Sequence, residues 1–240
     1  MCSSDLWIRV YLANEYGFSI DGKPIYPEFV DSMHVPAEAI APLPYAPVTI
    51  GVDFGLSPAA VFAQIDARGR WRVLGELVAE DMGATAFARL LIQHVQGWFP
   101  GQAARVWGDP AGAQRSQTDE RTCLEVIRTE TGLPAHAAPT NSFLPRREAV
   151  AKALGRLIEG APGLMISPAC KMLRKGFQGG YHYRRLKVAG DERYHDEPNK
   201  NSFSHVHDAL QYALSGGGES IRPRSTTGPI VAETAFKVLP

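Results

Sequence analysis

Apolar side chains fall at strand spacing along the first regular part of the chain. Three β-rich runs, at residues 48–54, 59–65 and 71–78, each predict a strand. A five-residue connection containing Gly69 joins the second run to the third and favours a tight turn. Short connections of this kind link antiparallel neighbours, so the pattern predicts a three-strand antiparallel meander.

Helical spacing follows the meander. Phe87, Leu90, Leu91 and Val95 recur every three or four residues and predict a helix over residues 85–98. Further strands are predicted at 105–109 and 133–138, with helices at 120–131, 145–159 and 204–214. A meander followed by alternating strands and helices predicts an α/β fold, in which helices flank one mixed sheet of antiparallel and parallel strands.

Both ends of the chain depart from this regular pattern. Six prolines between residues 24 and 47 interrupt any long helix or central strand, so residues 1–46 are expected to be a lead-in or linker. Three glycines at 216–218 are expected to end the last helix, and residues 217–240 to form a flexible tail. One domain over residues 47–216 is therefore predicted.

Composition narrows the possible environments. Of the 240 residues 45% are hydrophobic and 21% charged, which is ordinary for a soluble protein, and no apolar run is long enough to span a bilayer. No signal-peptide pattern is present. The three cysteines form no C-x-x-C pair, which argues against a disulfide framework or a zinc ribbon and fits a reducing cytosol. A cytoplasmic protein without a membrane partner is expected.

Charge is balanced overall but unevenly distributed. The 25 basic and 25 acidic residues cancel, yet no Asp or Glu occurs between residues 160 and 190. Segregation of this kind favours a phosphate-binding surface, although a solvated mixed surface can produce the same run. The candidate DNA-binding residues are Lys171, Arg174, Lys175, Arg184, Arg185, Lys187 and, further along, Lys200.

Three aspartates occupy unusual places. Asp53 closes the first strand, Asp109 closes the strand at 105–109, and Asp208 lies among apolar neighbours in the last helix. The carboxyl ends of parallel strands gather at one edge of a sheet, where a cluster of carboxylates would repel one another. A hard divalent cation relieves this repulsion, and all-oxygen ligands favour magnesium or manganese. Taken singly, each aspartate is more often a turn former, a cap or a local pair.

Two histidines precede the last of these aspartates. His205 and Asp208 lie three residues apart and share a helix face, whereas His207 points elsewhere. His205 is therefore a candidate metal ligand or proton donor, with a simple hydrogen-bonded helix histidine as the alternative. Lys200 precedes the helix and could reach a scissile phosphate, although a lysine in a polar loop is usually solvated.

Three motifs resemble those of a known nuclease family, the large subunit of phage and prophage terminases, over roughly residues 48–215. The helix motif is the most specific of the three. They read Ile-Gly-Val-Asp-Phe-Gly at 50–55, Gly-Asp-Pro at 108–110, and Pro-Asn-Lys-Asn-Ser-Phe-Ser-His-Val-His-Asp-Ala-Leu-Gln-Tyr at 198–212. The lead-in, from residue 20 to 46, resembles the segment that leaves the family's ATPase domain.

The resemblance implies a ribonuclease H-like fold and a DNA endonuclease that cuts packaged DNA from a concatemer with two Mg²⁺ or Mn²⁺ ions. Asp53, Asp109 and Asp208 match the family's metal-binding acids, and Asp53 is the expected bridging ligand. His205 matches a site histidine of some members, and Lys200 a recurrent position. The implied partners are double-stranded DNA, an ATPase motor domain, the terminase small subunit and the portal. No G-x-x-x-x-G-K-[ST] phosphate loop occurs in these residues, so the motor is not among them.

Two other functions remain open. ATPases of the actin and sugar-kinase type also carry a strand followed by Asp-x-Gly, as at 53–55, but they need a second such turn, and here Asp109 precedes Pro-Ala-Gly. A DNA-binding module of the same fold with little activity of its own is the second alternative.

Overall fold

A six-stranded mixed sheet with helices on both faces organises the chain. The structure is a computed structural model that describes residues 22–110, 122–186 and 193–219. The strands are β1 (Gly22–Pro24), β2 (Val48–Asp53), β3 (Ala59–Ile65), β4 (Trp71–Val78), β5 (Ala104–Gly108), β6 (Ala135–Ala137), β7 (Leu157–Ile158), β8 (Ala161–Pro162), β9 (Leu164–Ile166), β10 (His182–Leu186) and β11 (Arg193–Pro198). The helices are α1 (Asp31–His34), α2 (Ala84–Trp98), α3 (Cys123–Thr131), α4 (Phe143–Gly155), α5 (Lys171–Lys175, continued by a π-helical turn at Gly176–Gly180) and α6 (Ser204–Gly216). None of these helices is long and apolar enough to cross a bilayer.

The sheet topology confirms the predicted α/β class. Its strands lie in the order β6-β5-β2-β3-β4-β9. Strands β2, β3 and β4 form the expected antiparallel meander, while β5 and β6 continue the sheet in parallel from β2. Strand β9, which was not predicted, extends the other edge in parallel with β4. The carboxyl ends of strands β2, β4, β5, β6 and β9 therefore all lie along the same edge of the sheet.

Two hydrophobic cores lie on opposite faces of the sheet. Alternate residues of β3 face opposite ways, so Val61 joins the core beneath α4, α5 and α6, whereas Phe62 joins the core beneath α2 and α3. Both side chains are fully buried. The meander thus has no solvent-facing side, and this burial explains why its strands read as nearly continuous apolar runs rather than as an alternating pattern.

Helix α6 lies directly against strand β2 at a glycine. A Cβ atom added to Gly51 would overlap the backbone carbonyl oxygen of Ala209 and would lie 2.7 Å from the amide nitrogen of Ala213. Only a residue without a side chain allows this backbone-to-backbone approach. The contact fixes the height and rotation of α6 over the strand that ends in Asp53.

The second half of the predicted lead-in packs against the domain. Strand β1 pairs with β10, and the next two residues, Ile25 and Tyr26, are buried in the core beneath α6. Arg147 of α4 donates hydrogen bonds to the Ile25 carbonyl oxygen at 3.0 Å and to the carboxylate of Glu28 at 2.7 Å. Residues 22–46 therefore belong to the folded unit, and residues 1–21 lie outside the described part.

Two other expected boundaries are wrong. Helix α4 ends at Gly155 rather than at residue 159, because the chain turns there into the short β7–β8 hairpin. The flexible tail does not begin at residue 217, since the carboxylate of Glu219 is fully buried. It pairs with Arg156 at 2.6 Å and accepts a hydrogen bond from the indole of Trp71 at 2.8 Å. Residues 220–240 lie outside the described part of the chain.

The close approach at Gly51 yields a stability prediction. Gly51→Ala places a methyl group in the backbone of α6, so we expect a loss of about 1–3 kcal/mol of unfolding free energy or more, measured by urea denaturation. Gly97→Ala in α2 is the matched control, because no atom lies within 4 Å of its added Cβ. Helix propensity should make that variant as stable as the wild type or about 0.5–1 kcal/mol more stable. Equal stability of the two variants would contradict the proposed packing constraint.

Candidate functional site

Two of the predicted acids follow neighbouring strands. In the parallel β2–β5 pair Val52 lies opposite Gly108, and the next residue of each strand is Asp53 or Asp109. Paired strands lie about 4.8 Å apart, so the two aspartates enter the same edge of the sheet side by side. Asp53 is buried and Asp109 is half-buried.

The third acid reaches this edge from helix α6. Burial raises the pKa of the Asp53 carboxyl, and the negative charge of Asp208 raises it further. Burial also raises the pKa of the Tyr212 phenol, which Arg146 lowers and the charges of Asp109, Asp53 and Asp208 raise. All three carboxylates therefore lie within electrostatic range of one phenol. The structure thus places the three predicted acids in the same region, at the carboxyl end of β2 and β5.

Two cations of the chain neutralise Asp208. Arg146 of α4 donates to one carboxylate oxygen at 3.2 Å, and the Lys200 ammonium group donates to the other at 2.8 Å. The Asp208 and Arg146 side chains are only 4% and 6% exposed, whereas the Lys200 side chain is 70% exposed. The arginine is therefore a buried, fixed partner of the acid, and the lysine is a solvent-facing one.

His205 pairs with the first acid. Its Nδ1 atom lies 2.9 Å from Oδ2 of Asp53, and its ring is about one third exposed at 35%. This hydrogen bond raises the pKa of His205, because the Asp53 carboxylate stabilises the protonated ring. The histidine and Asp208 thus approach Asp53 from the same face of α6.

His207 belongs to the hydrophobic core rather than to this edge. Its ring is fully buried and stacks on Tyr181 at a centroid distance of 4.7 Å, with Phe177 at 4.5 Å and Tyr26 at 5.8 Å. Burial lowers its pKa to about 3, so the ring is neutral near neutral pH. Its role is packing between the lead-in, the π-helical turn and α6.

A buried hydrogen-bond network behind the acids was missed by sequence reasoning. Arg146 donates to the side-chain oxygen of Gln211 at 2.8 Å and lies over the Tyr212 ring, 4.5 Å from its centroid. Gln211 in turn donates to the hydroxyl oxygens of Tyr26 at 3.0 Å and Tyr181 at 3.4 Å. This chain of contacts holds Arg146, and through it Asp208, in one orientation.

The candidate DNA-binding residues separate into distinct groups. Arg174 forms a two-pronged ion pair with Asp31 at 2.6 and 2.7 Å, which gives it a structural role. Lys171, Lys175, Arg184 and Arg185 are exposed, as is Lys200. Helix α5, which carries Lys171 and Lys175, follows β9, and β3 and β4 separate that strand from β2 in the sheet. Lys187 lies outside the described residues.

The donor set at this edge fits a hard divalent cation in composition, with three carboxylates and one imidazole. Within the described ranges, however, no three His, Cys, Asp or Glu side chains already stand at the spacing of metal ligands. Both Asp208 oxygens contact protein cations, one Arg146 and the other Lys200. Asp53, Asp109, Asp208 and His205 could hold a metal after local rearrangement of side chains.

Comparison with known proteins identifies the fold. No protein-family model and no curated protein matches the sequence. The large terminase of a thermophilic bacteriophage, solved in complex with ADP, superposes with a TM-score of 0.60 at 18% identity, over 82% of this chain and 46% of that one. The large-terminase nuclease of thermophilic phage G20c, with bound cobalt, superposes with a TM-score of 0.51 at 12% identity, over 82% of this chain and 98% of that one.

These superpositions confirm the predicted ribonuclease H-like fold and the likeness to terminase nuclease domains at the level of fold. The chain spans about half the length of the bacteriophage large terminases that it matches, between 45% and 53%. Sequence identities this low support the fold alone. The assignment of the site residues therefore depends on the geometry of this chain.

Asp208 has a buried arginine as its partner and Asp53 a partly exposed histidine, so the two acids should respond differently to neutralisation. Asp53→Asn removes a desolvated charge that repels Asp208, so its melting temperature without metal should equal or exceed that of the wild type. Asp208→Asn leaves the buried Arg146 without its counter-ion and should cost up to about 3 kcal/mol. Scanning calorimetry in EDTA measures both. Equal destabilisation by the two substitutions would contradict the assigned charge pairing.

The two histidines should also separate by stability. His207→Ala leaves a cavity between three aromatic rings and should cost about 2–4 kcal/mol of unfolding free energy. His205→Ala removes a partly exposed ring and should change stability by less than about 1 kcal/mol. Urea denaturation of both variants checks this order, and the reverse order would overturn the placement of the two rings.

Proposed function

We propose that this chain is a divalent-metal-dependent DNA endonuclease domain of the large-terminase type. The observation that carries the proposal is the meeting of Asp53, Asp109 and Asp208 at one edge of a ribonuclease H-like sheet. The acids come from three separate elements, and burial and the negative charge of Asp208 raise the pKa of Asp53, which disfavours its charged form. Stability alone gives no reason to gather them.

In the proposed site Asp53 would be the shared ligand, because its strand pairs with β5, which leads to Asp109, and packs against α6, which carries Asp208. Asp109 and Asp208 complete the carboxylate set, with His205 as a further donor. Two bound Mg²⁺ or Mn²⁺ ions would supply an activated water and stabilise the oxygen that leaves the phosphodiester. The cobalt bound to the similarly folded G20c nuclease supports a divalent cation here.

The chain's own residues prepare this site. Arg146 fixes the orientation of Asp208 from the buried side and offsets part of its charge. His205 orients Asp53 through its 2.9 Å contact. The exposed cations Lys171, Lys175, Arg184, Arg185 and Lys200 would supply attraction for a phosphate backbone without reading bases. We therefore propose double-stranded DNA as the substrate.

The biological process, the partners and the location are proposed from the same structural similarity to large terminases. Genome packaging is the proposed process, and the proposed partners are an ATPase motor domain, a terminase small subunit and a portal, in the cytoplasm of a host cell. The lead-in residues 22–46 are the proposed connection to such a motor.

Plasmid cleavage tests the proposal. The wild type should nick and linearise supercoiled plasmid with Mn²⁺ or Mg²⁺ and should be inactive in EDTA. Asp53→Asn, Asp109→Asn and Asp208→Asn should each lower the rate by on the order of a thousandfold, since each removes a metal ligand. Asp81→Asn is the matched control, because Asp81 is an exposed acid near the same edge in a left-handed conformation that asparagine accepts.

Three outcomes would contradict the proposal. A wild-type rate in one of the three variants would remove that acid from the site. ATP hydrolysis without any DNA cleavage would favour the actin and sugar-kinase alternative. DNA binding without cleavage under all metal conditions would favour a binding module.

A further inference from the structure

We propose that the β10–β11 hairpin carries a binding site for one backbone phosphate of the DNA, and that this phosphate competes with Asp208 for the Lys200 ammonium group. The inference rests on the proposed nuclease function and adds a subsite to it. The site would couple DNA binding to cation binding at the acids.

An irregularity in the hairpin creates a cavity. Tyr183 pairs with Pro198 and Arg185 pairs with Tyr194, so a single residue of β10 lies opposite three residues of β11. Bulges of this kind widen a strand pair and redirect side chains. A cavity of about 350 Å³ at this irregularity is lined by Arg184, His195, Glu197, Pro198, Asn199 and Lys200.

The lining suits a phosphodiester. Arg184 offers a planar set of N–H donors, Lys200 a point charge, and His195 a ring N–H group, against the single carboxylate of Glu197. Arg184 and Lys200 alone outweigh that carboxylate, and all four side chains are exposed. The cavity is open and basic. It therefore suits a singly charged phosphate of an extended DNA backbone better than a small molecule that needs an enclosed pocket.

Lys200 belongs to this cavity and to the acidic edge at the same time. Its ammonium group lies 2.8 Å from Oδ2 of Asp208, while its side chain is 70% exposed. The other Asp208 oxygen keeps its buried partner Arg146. A phosphate seated beside Arg184 would attract the ammonium group away from Asp208, because lysine is a flexible cation with three donors. One oxygen of Asp208 would then be available to a metal ion.

Thermodynamic linkage makes this exchange reciprocal. A phosphate that withdraws Lys200 strengthens cation binding at Asp208, and a cation that displaces Lys200 strengthens phosphate binding in the cavity by the same factor. The chain would thereby complete its metal site when DNA is in place. When no DNA is bound, the Lys200 ammonium group remains paired with Asp208.

The metal arm of the test measures Mn²⁺ binding by calorimetry without DNA. Lys200→Met removes the competing ammonium group, so Mn²⁺ affinity should rise on the order of fivefold or more. The double variant Arg184→Ala/His195→Ala removes two side chains of the cavity lining that do not contact Asp208 and should change the affinity less than about twofold. An unchanged or weaker Mn²⁺ affinity in Lys200→Met would overturn the exchange.

The DNA arm measures duplex binding by fluorescence anisotropy in EDTA, where no cleavage occurs. The Arg184→Ala/His195→Ala variant should bind about tenfold more weakly, and its slope of log affinity against log salt should become shallower by about 0.9, the contribution of one phosphate. Lys23→Gln, an exposed charge change on the neighbouring strand β1, should leave affinity unchanged. Unchanged affinity and slope in the double variant would overturn the phosphate site.

Two further comparisons complete the design. ATP should compete with the duplex no better than sodium phosphate of equal ionic strength, and competition at micromolar ATP would assign the cavity to a nucleotide instead. Plasmid cleavage by the wild type distinguishes failure of the phosphate exchange from failure of the proposed nuclease function. Cleavage together with failure of both arms refutes the phosphate exchange alone, whereas absence of cleavage refutes the proposed function.

Discussion

The candidate site depends on the backbone contact between helix α6 and strand β2 at Gly51. Because no side chain separates them, the helix packs close to the strand. Its N-terminal half therefore faces the end of the strand at Asp53. Asp208 immediately precedes Ala209, whose carbonyl oxygen lies against Gly51, and His205 lies one turn earlier. A larger residue at position 51 would lift both side chains away from Asp53.

Bringing carboxylates together in a desolvated place has an electrostatic cost, which the chain offsets with its own cations. Arg146 is held from behind by Gln211 and by the ring of Tyr212, so it stabilises Asp208 permanently. Lys200 offsets the remaining charge of Asp208 from the open side, where His205 also forms a hydrogen bond with Asp53. The fixed cation, Arg146, lies in the core and the exchangeable one, Lys200, faces solvent, which is the arrangement that a site for incoming cations and phosphates requires.

Much of the sheet could be predicted from sequence, because local patterns determine it. The bounds of β3 and β4 agree with prediction residue for residue, since turn residues bracket both apolar runs. Asp53 and Asp109 could be selected as acids at strand ends, and the parallel register then places them side by side. The mixed α/β class followed from the meander and the alternating elements after it, whereas the ribonuclease H-like fold was implied by the motif resemblance.

Features made by tertiary contacts could not be predicted in this way. Arg146 and Arg147 are adjacent in sequence, and only the packing of α4 against α6 decides that the first is buried beside Asp208. Tyr26 lies in a proline-rich stretch that resembles a linker, yet it enters the core through its contacts with Gln211 and His207. Strand β9, three residues long, exists because the edge of β4 pairs with it. None of these residues has a periodic signal.

Anomalous X-ray diffraction from crystals of the chain soaked in Mn²⁺ tests the central claim most directly, because it locates the cation without reference to activity. The account predicts manganese in contact with the carboxylate of Asp53 and with Asp109, Asp208 or both, and Arg146 still bonded to Asp208. Manganese bound only elsewhere on the chain, with the Asp53 and Asp208 carboxylates in contact with protein cations alone, would contradict it.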